Sequence, residues 1–222
     1  MPNVEEIKGH IVFDCDGTLI SSQEGIIQGL QQLLGEVLKR EVPRSEVVDK
    51  YTADMHDLAW RFGLNISDET VRDALFKRWI EISNQDRLKY VLFDEMKDLL
   101  IKLGESGYRL YVWTARDRMS TLSILKSLDV AKFFYEFRCL DDTIPKPHPM
   151  GLQEMLEGVD KSKVIMIGDS ITDMQGAREF GCKSIGALWC THVNEEILNG
   201  ARPNFKAKTP SECFEIIERE IK

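Results

Sequence analysis

No apolar run in this 222-residue sequence approaches the roughly 20 residues that a membrane-spanning helix needs. The opening residues Met1-Pro2-Asn3-Val4-Glu5-Glu6 lack the basic end and greasy stretch of a secretory signal. A cytoplasmic protein is therefore expected. Also missing are CxxC pairs and Cys/His zinc spacings. The five cysteines (Cys15, Cys139, Cys182, Cys190 and Cys213) are scattered and odd in number, which predicts reduced, mostly buried thiols. Positive charge is short as well. With 29 Lys and Arg against 37 Asp and Glu, the net charge is −8, so nucleic acid and anionic membrane are excluded as main partners. A local basic pocket for a small anion is still compatible with that balance. Internal repeats, low-complexity tracts and flexible linkers are absent.

What is present is an alternation of short apolar runs with longer helical patterns. Residues 10–13, 110–113, 164–167 and 184–188 are too short and too apolar for surface helices and read as buried strands. Helical stripes follow them. Met96, Leu99, Leu100 and Leu103 mark one over 94–105, and 119–128 and 173–180 carry others, the last stopped by Gly181. This alternation predicts an α/β fold with a doubly wound, Rossmann-like parallel sheet. Between residues 21 and 89 the rhythm breaks: helix patterns continue and no strand is apparent. One stripe runs through Ile26, Ile27, Leu30, Leu33, Leu34, Val37 and Leu38, a second spans 47–62, and a third covers 71–82, started by a capping box at Ser67 or its neighbours. The expected organisation is a core of 1–20 and 90–222 with a helical subdomain of 21–89 inserted.

The end of the first strand reads Asp14-Cys15-Asp16-Gly17-Thr18. Side chains alternate along a strand, so Asp14 and Asp16 project together while Cys15 turns into packing. In open parallel sheets ligands bind beyond the carboxyl ends of the strands, where both acids fall. A simple Asp-Gly turn is the plain alternative. At the next strand end, Thr114-Ala115-Arg116 offers a helix N-cap or a phosphate-sized anion site. Pro145-Lys146-Pro147-His148-Pro149 is either a stiff loop or a way of aiming one ammonium. The strand at 164–167 runs into Gly168-Asp169-Ser170 and Asp173. Clustered acids repel one another unless a cation sits among them, and oxygen-only ligands suit Mg²⁺. A hydroxyl and an ammonium facing them suit a phosphoryl group, which a carboxylate can attack.

"DCDGTL" at 14–19, "YVWTAR" at 111–116, "KPHP" at 146–149 and "IGDSITDMQGA" at 167–177 resemble, in order, the four motifs of the haloacid dehalogenase-like hydrolase superfamily. The helical insert is similar to the cap of its phosphoglycolate phosphatase-like and β-phosphoglucomutase-like branch. The resemblance implies that Asp14 is the nucleophile of an aspartyl-phosphate. It makes Asp16 the general acid/base, with its backbone carbonyl on Mg²⁺, and Asp169 a further metal ligand. Thr114, Ala115, Lys146 and Arg116 would bind substrate, with Asp173 and Ser170 in support. An acid at position 16 favours phosphoryl transfer to or from an ester oxygen over dehalogenation. The implied activity is Mg²⁺-dependent hydrolysis of a small phosphate monoester (a sugar phosphate, phosphoglycolate-like ester or nucleotide), with the cap closing over the substrate. A phosphomutase and a phospho-acceptor signalling module are the alternatives. The sequence departs from the branch at Ser21-Ser22, at 91–95, after Thr114, at Met150 and at Cys190, which leaves the substrate open.

Other residues divide less cleanly. Arg116 and Arg118 are either second-anion ligands or ordinary solvated or helix-flanking arginines. The polar stretch 51–57, with His56, either reaches the site or forms a surface turn. Trp60, Trp79, Phe76 and Phe62 are expected in the core of the insert, and His10, His148 and His192 carry no functional signal.

Overall fold

The computed structural model describes residues 7–21, 23–52, 55–83, 90–190, 193 and 195–221. His192 and the opening hexapeptide lie outside them, as do Ser22, Ala53 and Asp54. The α/β architecture expected is the one observed. In chain order its elements are β1 (Gly9–Phe13), β2 (Ile20–Ser21), α1 (Gln23–Leu38), α2 (Arg44–Lys50), α3 (Met55–Arg61), α4 (Glu69–Ser83), β3 (Val91–Leu92), α5 (Met96–Glu105), β4 (Tyr108–Trp113), α6 (Arg118–Ser127), β5 (Phe134–Arg138), α7 (Met150–Met155), β6 (Val164–Gly168), α8 (Ile171–Phe180), β7 (Lys183–Ala187), α9 (Glu195–Gly200), β8 (Phe205–Ala207) and α10 (Pro210–Glu220).

Six strands form one sheet in the order β5-β4-β1-β6-β7-β8, every pairing parallel. All five residues of β1 are buried, as are those of β6, which is why both read as unbroken apolar runs. Strand β1 is central. The chain builds outward on one side through β4 and β5, then returns to β6 and builds outward through β7 and β8. The reversal at β1 opens a crevice at the carboxyl ends of the strands, the usual ligand position in such sheets. A two-stranded antiparallel ribbon, β2 with β3, stands where the chain leaves and re-enters the sheet unit.

The edge strands β5 and β8 were not among the expected strands. An edge strand is covered on fewer sides, and Tyr135, Glu136 and Lys206 interrupt the apolar run that burial on both faces imposes elsewhere. Helix α10 was also not expected, although Thr209 caps it by accepting from Glu212 N at 3.1 Å and Pro210 opens its first turn.

The chain divides into two compact units, 1–21 with 91–222 and 22–90. The second holds α1 to α4 around Ile27, Leu30, Leu34, Val47, Leu58 and Phe62. The stripe expected over 47–62 is two helices, because Tyr51 takes an extended backbone at the end of α2. Helix α4 starts on Asp68, whose carboxylate accepts from Thr70 N at 2.8 Å. Trp60 corrects its expectation: it is 77% exposed. Leu58 on α3 and Phe62, the residue just past its end, both enter this cluster, and Trp60, two positions from each, points to the opposite side. Trp79 does pack against the cluster. His56 is exposed on α3. Among the described residues no helix is long and apolar enough to cross a membrane.

Candidate active site

Asp14 follows β1 directly and extends its ladder by one bond, Asp14 N donating to Ile167 O at 2.9 Å. The carboxylate therefore stands in the crevice between β1 and β6. Lys146, 132 residues later, donates to Asp14 Oδ1 and to Asp173 Oδ1, each at 2.6 Å. All three side chains are at least nine-tenths buried. Burial pushes the Asp14 carboxyl up to about 7 against the pull of the Lys146 ammonium, with Asp173 and Asp16 adding to the push. Burial works against the charge on Lys146 too, but the two carboxylates more than offset it and raise its pKa.

Asp173 is held by its own helix. Its Oδ2 accepts from Ser170 N at 3.1 Å while Ser170 Oγ accepts from Asp173 N at 3.2 Å, a reciprocal capping box at the start of α8. One carboxylate thus starts a helix with one oxygen and orients Lys146 with the other. Asp169 lies just beyond β6, and Thr18 Oγ1 donates to its Oδ1 at 3.4 Å. Gly17 has φ +82°, and a Cβ there would overlap Asp169 Oδ2. Its glycine is what permits the two strand ends to bring their acids together.

Asp16 goes elsewhere. Its carboxylate accepts from Arg116 Nε at 2.8 Å and Nη2 at 2.6 Å, a bidentate pair. Arg116 is only 8% exposed, so the solvated reading of this residue is corrected. Arg118 donates to Asp142 and to Phe137 O, keeping its side chain 39% exposed. Thr114 is buried at the end of β4 and is not a helix N-cap: Asp117 caps α6, accepting from Ser120 N at 2.9 Å. The Thr114 hydroxyl instead accepts from Arg116 N at 3.1 Å, turning the chain. Ala115 is exposed. Cys15 is fully buried, and burial pushes its thiol well above the usual range, so it supplies no thiolate.

One oxygen each from Asp14, Asp169 and Asp173 lie within 4.8 Å of one another. Burial raises the Asp169 pKa well above its usual value, and the charges of Asp14 and Asp173 raise it further. A hard cation relieves that repulsion, and the all-oxygen donor set suits Mg²⁺ rather than a thiolate- or imidazole-seeking metal. The residues present fit such an ion. Of the metal ligands expected, the Asp14 and Asp169 carboxylates belong to this cluster; from Asp16 the expected ligand is the backbone carbonyl, and its carboxylate pairs with Arg116.

Sequence reasoning missed Trp113 at this site. Lys146 Nζ stands 4.9 Å from the centroid of its ring. A contact between positions 33 apart leaves no periodic trace in a sequence.

A family model described as haloacid dehalogenase-like hydrolase matches residues 11–187. The pyrophosphatase PpaX of Bacillus pumilus (strain SAFR-032) is 28% identical over 210 residues, covering 93% of this chain and 95% of that protein. Among solved structures, one described as a predicted phosphatase from Clostridium acetobutylicum is similar with a TM-score of 0.81 at 21% identity, covering 96% of this chain and 100% of that one. Another, described as a predicted phosphoglycolate phosphatase from Haemophilus somnus 129pt, has a TM-score of 0.80 at 19% identity, covering 96% and 99%. These solved structures share the fold.

Proposed function

Because this chain belongs to the haloacid dehalogenase-like hydrolase family, we propose that it is a cytoplasmic, Mg²⁺-dependent phosphatase that cleaves a small phosphate ester through an aspartyl-phosphate on Asp14. The observation that carries the reading is the Asp14 carboxylate itself. It stands at the carboxyl end of the central strand, 2.6 Å from a buried ammonium and beside Asp169 and Asp173.

Asp14 attacks phosphorus, and the bond to the leaving oxygen breaks. Asp16, once parted from Arg116 and protonated from solvent, gives that oxygen its proton. It then takes a proton from the water that attacks the aspartyl-phosphate, which returns Asp14 as a carboxylate and releases inorganic phosphate. Lys146 and Thr114, with the backbone at Ala115, hold the phosphoryl oxygens. Asp14, Asp169 and the Asp16 backbone carbonyl would hold Mg²⁺, which supplies positive charge to the phosphoryl group when bound. Asp173 and Ser170 keep Lys146 in place.

Arg116 is assigned to a second anionic group of the substrate. The pyrophosphatase among the relatives is named for a substrate with two charged groups, which is in keeping with that assignment. The helical unit is assigned to substrate selection as the cap of the hydrolase core. The test is a screen of phosphate esters and pyrophosphate with and without Mg²⁺, with Asp14→Asn as control. Wild-type turnover by Asp14→Asn would overturn the mechanism, and turnover unaffected by chelation would overturn the metal.

A further inference from the structure

Trp113 ends β4, is 1% exposed, and precedes Thr114 in the chain. Its indole is gripped along two edges. A Cβ on Gly151, in α7, would come 2.5 Å from indole Nε1, and a Cβ on Gly176, in α8, would overlap Cη2. Both helices thus carry a residue without a side chain where they meet the ring. The Gly176 position also abuts the loop that bears Lys146, its Cβ falling 3.1 Å from Pro147 O. The ring is fixed in this slot, and the Lys146 ammonium stands 4.9 Å from its centroid.

That ammonium has three N–H donors, two of which go to Asp14 and Asp173. A ring face within about 6 Å stabilises the charge without taking a strong acceptor bond. The third donor is then available to a substrate oxygen. Filling the slot would need only an apolar side chain of the right volume. Stabilising the ammonium needs the electron-rich face.

We propose that Trp113 is a positioning residue for phosphoryl binding, its indole locked between Gly151 and Gly176 and holding the Lys146 ammonium where it meets a phosphoryl oxygen. The proposal rests on Lys146 being the residue that binds the phosphoryl group.

The experiment replaces Trp113 alone with tryptophans of increasing fluorination, which keep the ring's shape while draining its negative face. Inorganic phosphate is the probe, read as an inhibitor of para-nitrophenyl phosphate hydrolysis, alongside the thermal midpoint. The phosphate inhibition constant should rise with each fluorine, by about tenfold across the series, as loss of a buried cation–π contact implies. The midpoint should hardly move. An inhibition constant that stays flat across the series overturns the proposal. Gly176→Ala provides a second arm. It should displace the indole and weaken phosphate binding, and adding Trp113→Phe should restore binding to the level of Trp113→Phe alone. Binding that merely follows the thermal midpoint through these variants also overturns it. Lys146→Ala separates the two ideas. If that variant binds phosphate and turns over as wild type does, the reading of Lys146 fails. If it binds weakly while fluorination has no effect, only the role of Trp113 fails.

Discussion

The Asp16 carboxylate and the Arg116 guanidinium form a two-point pair, at 2.8 and 2.6 Å, across 100 residues of chain. The proposed proton carrier is thus paired while the proposed nucleophile, two residues earlier, is bound to Lys146. The two acids of the first motif occupy different electrostatic settings, as different tasks require. Asp16→Asn should therefore slow esters with poor leaving groups most and let phosphoenzyme accumulate. Rapid-quench measurement of protein-bound phosphate across a leaving-group series checks this. Equal slowing of every ester would point to damaged metal geometry instead.

Arg116→Met removes the proposed second-anion site. It should raise KM about tenfold for substrates with a second anionic group, the worth of one charge-assisted hydrogen bond. KM for para-nitrophenyl phosphate should change far less. Steady-state kinetics on substrates matched in leaving group, with and without the extra charge, decides it.

Lys146→Met would leave Asp14 and Asp173 facing each other with no cation between them. Breaking a buried ion pair on one side costs about 3–5 kcal/mol. Denaturant unfolding in the presence of chelator should show that loss, together with collapse of turnover. A variant as stable as wild type would mean that the carboxylates tolerate the missing ammonium.

Mg²⁺ should stabilise the folded protein by mass action, about 2.7 kcal/mol at a hundredfold excess over its Kd. Asp169→Asn should abolish most of that gain while folding normally without metal. Thermal scans with and without Mg²⁺ provide the comparison, and an identical gain in both proteins would place the ion elsewhere.

Cys15→Ala should lower stability by about 1 kcal/mol, as deletion of a small buried group does. It should leave kcat unchanged, because the thiol is buried beneath the strand end and held protonated. Loss of kcat without loss of stability would contradict the inward placement of this side chain.

Four central strands were legible because they are buried on both faces, which writes an uninterrupted apolar run into the chain. The edge strands β5 and β8 were not, since their mixed surroundings admit Tyr, Glu and Lys. The stripe over 47–62 shows a related limit. Periodicity finds an apolar face but does not register the extended backbone at Tyr51 that ends α2.

The sequence by itself determined the alternation of strand and helix, and the order in which Asp14, Asp16, Thr114, Lys146, Asp169 and Asp173 appear. Strand burial and the chemistry of strand ends are local properties, readable one segment at a time. Only the tertiary structure decided how those residues pair: Lys146 between Asp14 and Asp173, Arg116 on Asp16, and the indole of Trp113 between two glycines beside the ammonium. Each contact joins segments far apart in the chain. It is set by sheet order and close packing, which no single segment encodes.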